Sequence, residues 1–245
     1  YRRMILRGLA AVLVLVSAAA TAAATPEIEY AYPDQSVWTI RLDQRGEPDN
    51  PLLRLAAALF AKAGIPWHGQ SYPASRMFES LRDGRSQFSM LVQAPSLQEC
   101  CLWSKDPVAS TELRVYRTAD QPPITRKEDL AGKNVIVIRG YSYAGLANFL
   151  KDPANKVALT VAATHSGAFA MLDRDRADYV IDYAGPASEV LADRPISGAV
   201  HDTLSRLDVH LVLSKTYPNA SRVMADLEAI AATLDVEAIL QGAGR

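Results

Sequence analysis

From residue 37 to residue 234 the chain alternates between strand-like apolar runs and stretches of helical period, and this constrains its fold more than any other feature. Val37–Leu42 alternates apolar and polar residues as a half-buried strand does. Asn50-Pro51 offers an N-cap and a first-turn proline, opening a helix to Ala63 with Leu52, Leu55, Leu59 and Phe60 on one face and Gly64 as its stop. A strand near Ile65–Gln70, a helix over Ser75–Asp83 and strands over Gln87–Val92 and Val108–Arg117 follow. The second half repeats the pattern, with strands at Asn134–Ile138, Val157–Ala162, Tyr179–Ile181 and Leu207–Leu213. Between and after them lie helices at Tyr143–Leu150, Ser166–Asp173, Ala187–Ala192 and Ala220–Leu234. Such alternation implies right-handed crossovers, mostly parallel sheets covered on both faces, and ligands bound at the carboxyl ends of the strands. The predicted class is α/β.

Composition narrows the function. The 245 residues suffice for one large domain or two lobes. With 26 Lys and Arg against 27 Asp and Glu there is no basic surplus to hold a nucleic-acid backbone. Two adjacent cysteines, Cys100 and Cys101, exclude a disulfide-stapled scaffold and a four-cysteine zinc site. His68, His165, His201 and His210 lack metal-ligand spacing and read as structural or exposed, so neither metal nor cofactor is expected. Arg2, Arg3 and Arg7, the apolar run Leu9–Val16 and the small residues Ser17–Ala24 form a secretory leader over residues 1–24. Cleavage is expected after Ala24, with the mature protein in the periplasm; Arg2-Arg3 loosely resembles a twin-arginine signal.

Five ordered stretches carry a resemblance: Tyr72-Pro-Ala-Ser-Arg76 through Gly84, Ser104-Lys-Asp-Pro107, Lys127–Val135 with Arg139-Gly-Tyr-Ser142, Ala177–Asp182, and Ser214–Asn219. The third is the most specific: an Asp-Leu-Ala-Gly-Lys turn, a strand, then Gly-x-Ser opening a helix. Together they resemble the family-3 periplasmic solute-binding proteins that serve polar amino-acid uptake. The resemblance implies a type II binding-protein fold with two lobes hinged by two crossing strands. Residues 26–117 plus 209–245 would form lobe 1 and residues 118–208 lobe 2. The polar, proline-containing stretch Thr118–Asp129 reads as an inter-lobe connection. A monomer that closes on a small polar solute, amino-acid-like or an organic acid, and is read by a membrane ABC permease or sensor is the implied function.

The candidate ligand-binding residues follow from chemistry and from that resemblance. Arg139, Gly140, Tyr141 and Ser142 lie between a strand and a helix, where free N–H groups and a hydroxyl suit an anion; Ser142 is equally a helix cap. Asp182 ends a strand where the family commonly accepts a ligand ammonium; the alternatives are a solvated strand end or a supporting partner of Arg139. Arg76, at the start of a helix, is either a carboxylate clamp or part of an inter-lobe or surface ion pair. Tyr143 reads as an aromatic lining residue, while Asp43 and Gln93 offer polar groups from loops. The family's Thr-x-x-Arg is missing: Gln93–Trp103 contains no arginine to hold an α-carboxylate.

Two further readings stay open. Ser142, Asp182 and His210 stand in the chain order of an α/β-hydrolase triad, and some relatives of the binding fold are dehydratases, so an exported enzyme is the alternative. Cys100 and Cys101 could form a vicinal bridge, remain buried thiols or pair between chains.

Overall fold

The structure, a computed structural model, describes residues 23–47 and 49–242. Residues 1–22 of the leader expected over residues 1–24 lie outside them; among the described residues no helix is long and apolar enough to cross a membrane.

Among the described residues, nine strands form one bent sheet. Its centre in the first lobe is β1 (Ile28–Pro33), parallel to β2 (Trp67–Tyr72) and β3 (Phe88–Val92). Strand β1 is buried on both faces. Ile28, Tyr30 and Tyr32 enter one core with Leu55, Leu59 and Phe60 of α1 (Leu52–Ala63). Ala31, between them, enters another with Met77 and Leu81 of α2 (Ala74–Arg82). That period of two with both sides apolar is what a parallel strand between helix layers requires. The expected strand over Val37–Leu42 does not form. Those residues belong to a long loop, and the strand lies nearer the N-terminus in the six residues of β1.

The lobes are joined by β5 (Ala109–Thr118) and β9 (Ala199–Ser214), which run antiparallel from Ala109↔Val209 to Thr118↔Ala199. The first-lobe end of β9 pairs with β3 on one edge and with the short β4 (Cys101–Trp103) on the other. In the second lobe β5 pairs with β8 (Tyr179–Tyr183), which is parallel to β6 (Asn134–Ile138), itself parallel to β7 (Ala158–Ala162). A bulge between Leu113 and Arg114 interrupts the crossing ladder, a local bend in the hinge pair. The stretch Thr118–Asp129 therefore lies beyond the crossing, at the outer end of the second lobe, where Arg117 and the Ile124 N–H both donate to Asp202.

The second core gathers Leu113, Val115, Ile136, Val180 and Ile181 under Phe169 and Leu172 of α4 (His165–Asp173), with Val190 of α5 (Ala184–Asp193). The helix α3 (Leu146–Lys151) starts three residues later than expected, because Tyr143, Ala144 and Gly145 take left-handed backbone conformations. Helices α6 (Ala220–Ala231) and α7 (Val236–Gln241) return the chain to the first lobe, resting on α1.

Candidate functional site

The carboxyl ends of β1 and β3 face those of β6 and β8 across a cleft between the lobes, bridged by the loop that follows β1. Residues Ser36–Arg41 of this loop form a strap that leaves the first lobe and docks on α5 of the second. Both carboxylate oxygens of Glu189 accept from the Thr39 hydroxyl at 2.7–2.8 Å, and one also accepts the Ile40 N–H at 2.9 Å. Val37 and Ile40 pack on the second lobe's core. A Cβ on Gly185, in the first turn of α5, would stand 2.3 Å from the Trp38 carbonyl oxygen, so this approach requires glycine. Gly140 marks a second close contact: at φ 80°, an added Cβ would lie 2.9 Å from the Ser75 nitrogen of α2.

Under the strap is a cavity of ≈ 40 Å³, room for a few waters. The first lobe contributes Met77, Phe78, Leu91 and Val92, and the strap contributes Trp38; the second lobe adds Tyr141, Ser142 and Tyr183. Its polar members are Ser36, Asn50 and Ser142 along with the tyrosine hydroxyls. Two of them are engaged: Ser36 Oγ accepts the Trp38 N–H at 3.0 Å and Asn50 Oδ1 the Leu52 N–H at 3.0 Å. The Tyr141 hydroxyl is buried and has no hydrogen-bond partner among the described residues. Burial pushes the phenols of Tyr141, Tyr143 and Tyr183 well above their ordinary range, so this wall is uncharged at neutral pH.

Of the residues proposed from sequence, Tyr141 and Ser142 line this cavity and Gly140 adjoins it at the lobe contact. Tyr143 sits behind the wall. Its hydroxyl accepts the Ile138 N–H at 2.7 Å and faces the Ile181 carbonyl at 3.4 Å, clamping the ends of β6 and β8. That clamp holds Tyr143 at φ 49°, a conformation unfavourable for an aromatic residue. Within the expected anion corner the Tyr141 N–H turns to the Ile138 carbonyl, and just beyond it those of Gly145 and Ala147 turn to the Ser142 carbonyl. Arg76 and Arg139 are exposed, and neither lines the cavity. Asp43 organises its own loop, accepting the N–H groups of Arg45 and Glu47 at 2.8 and 2.9 Å. Gln93 is exposed beside a separate depression of ≈ 400 Å³ near the hinge, with Trp103 and His210.

Asp182 differs most from expectation. It has no exposed surface, and its two oxygens lie 2.9 and 2.8 Å from Nδ1 of His165, itself 1% exposed. The Tyr183 N–H donates to it at 2.8 Å. Burial pushes the Asp182 carboxyl up, opposed by the His165 hydrogen bond and charge. Nε2 of His165 is buried and unpartnered among the described residues. The pair was not readable from sequence, since neither residue carries a local motif and 17 positions separate them. Its existence also dissolves the Ser142–Asp182–His210 triad: Asp182 goes to His165, and His210 Nδ1 donates to the Ser104 carbonyl at 2.9 Å. Cys100 and Cys101 are free thiols in contact, their sulfurs 2.8 Å apart.

No protein-family model matches the sequence, and no curated protein matches it. Solved structures do match the fold. A histidine kinase sensor domain with similarity to periplasmic binding proteins superposes with a TM-score of 0.71 at 19% identity, covering 89% of this chain and 96% of that one. A mutant of ArgBP from T. maritima gives 0.67 at 16% identity over 88% and 92% of the two chains. The substrate-binding protein of an amino acid ABC transporter gives 0.65 at 14% identity over 89% and 96%. Sheet order, crossing strands and these superpositions agree: the chain has the two-lobed α/β fold of periplasmic binding proteins.

Proposed function

We propose that this chain is a receptor that captures a small solute between its lobes and presents the closed form to a membrane transporter or sensor. The observation that carries the reading is the cleft, bounded by two separately cored lobes that touch through glycines and are linked by two antiparallel strands. Such a joint closes by small backbone changes in the linking strands, and a ligand that bridges the walls favours the closed state. The sensor-domain and transporter-receptor neighbours support both presentations without choosing between them. The lobe division falls, in this reading, within the crossing ladder near Ala109–Leu113 and Ser205–Val209. The protein acts as a monomer in the periplasm, delivered by its leader. Tyr141 and Ser142 are the ligand contacts on the second-lobe wall.

A thermal-shift screen over amino acids, organic acids, polyamines, sugars and uncharged aromatics tests this. At least one compound is expected to stabilise the protein saturably, and Ser142→Trp, which fills the cavity, should abolish the effect. A broad screen without a hit, or a hit indifferent to Ser142→Trp, would contradict the reading.

A further inference from the structure

The chemistry of the cleft restricts its guest. A zwitterion or a dicarboxylate entering this space leaves water for walls of Met77, Phe78, Leu91, Val92 and Trp38. Transfer of an ion into such surroundings costs several kcal/mol unless an opposite charge meets it. Among the described residues, those lining the cavity carry no charged side chain. The two arginines nearest in sequence, Arg76 and Arg139, are turned to solvent. Among the described residues, the carboxylates nearest this wall are otherwise placed: Asp182 faces an imidazole from the same chain, Glu189 holds the strap, and Asp34 is exposed on the strap's outer side. Neither end of an amino acid therefore finds a counter-charge among the described residues that line the cavity.

The walls offer aromatic and thioether surface together with neutral hydroxyls. Tyr141 supplies a buried hydroxyl without a partner among the described residues, and Ser142 adds a second hydroxyl on the same wall. A buried, unpaired donor is a standing cost that a guest's acceptor would remove. Resting on the receptor reading, we infer that the cleft selects a small uncharged guest with an aromatic or apolar body and one hydrogen-bonding group, which the Tyr141 and Ser142 hydroxyls recognise. A ring exceeds the ≈ 40 Å³ of the closed cavity, so the guest enters with the lobes parted and displaces Trp38 or Phe78.

Isothermal titration calorimetry with two probe sets tests this on the leaderless chain from residue 25 onward. One set is phenol, p-cresol, indole and toluene; the other is L-arginine, L-glutamate, L-glutamine and glutarate. The uncharged set is expected to bind and the charged set not to. Tyr141→Phe, which keeps the ring, should weaken phenol roughly tenfold and leave toluene within about twofold, the signature of one lost hydrogen bond. If a charged probe binds more tightly than every uncharged one and Ser142→Trp blocks it, the inference falls while the receptor reading stands. If phenol binds equally to wild type and Tyr141→Phe, the assigned recognition falls. Silence from both sets, together with a silent broad screen, removes the receptor reading and this inference with it.

Discussion

The strap Ser36–Arg41 has two sides, and they border different chemistry. Inward it covers the small apolar cavity with Trp38. Outward it walls a polar crevice of ≈ 210 Å³ with Asp34, Thr39, Arg41, Thr164 and His165. The ionisable groups of this region thus collect on the outer side or pair beneath it, as His165 does with Asp182. The cleft is left to shape and hydroxyls. Where charge lies relative to the strap, rather than how many charged residues surround the cleft, decides what the inner chamber accepts.

Breaking the pair buried beneath the outer side should have the largest effect. Asp182→Ala leaves the His165 Nδ1–H and the Tyr183 N–H without their acceptor in the interior. A loss of about 3 kcal/mol is expected, read from denaturant midpoints, with Asp182→Asn costing visibly less. A change under about 0.5 kcal/mol would mean that the buried pair does not support the wall. Next comes the strap itself. Gly185→Ala drives a methyl into the Trp38 carbonyl and should cost about 2 kcal/mol while shifting tryptophan emission to the red. Unchanged emission would show that the strap is not seated on α5.

A smaller effect serves as a control remote from both chambers. Arg117 donates to Asp202 at 2.8 Å and, as the main cause, holds its carboxyl below the ordinary value; the Ile124 N–H adds to this. In the window between the lowered folded pKa and the unfolded value near ~3.9, the unfolded chain binds more protons. This contribution is accordingly complete above pH ~4 and lost as pH falls through the folded pKa. Asp202→Asn should remove about 1 kcal/mol at neutral pH and flatten the acid limb of the stability profile. An identical acid limb in the variant would contradict the assignment. The smallest effects belong to the solvent-facing cations. Arg76→Ala and Arg139→Ala should each change stability by less than about 0.5 kcal/mol and leave affinity for an uncharged probe unaltered in the same titrations.

The parts of the fold legible in sequence are those where burial and periodicity coincide. The apolar stripe of α1, the run Asn134–Ile138 and the helix opening at Ala220 are such cases. The strap misled for a physical reason: Trp38, Ile40 and Leu42 stand two residues apart and so imitate a strand, whereas Val37 and Ile40 are apolar because they pack on the opposite lobe. The first half of β9 was hidden because His201, Asp202, Thr203 and Arg206 carry the polarity of a strand with much exposed surface. In the site, Tyr141 and Ser142 were readable from a strand–turn–helix pattern. Three consecutive left-handed residues after Ser142 were not, since Tyr143 and Ala144 give no local warning of them.

The lobe-closing cleft is tested most directly by a distance across it. Spin labels placed through unnatural amino acids at the exposed positions Arg76 and Asn148, one per lobe, leave Cys100 and Cys101 untouched. Double electron–electron resonance on wild type and on Gly185→Ala then reports the lobe separation. A short distance is expected in wild type and a growing population of longer ones in the variant, as the expelled strap lets the lobes part. One narrow distance, identical in both proteins and unmoved by any compound that binds, would contradict a lobe-closing cleft.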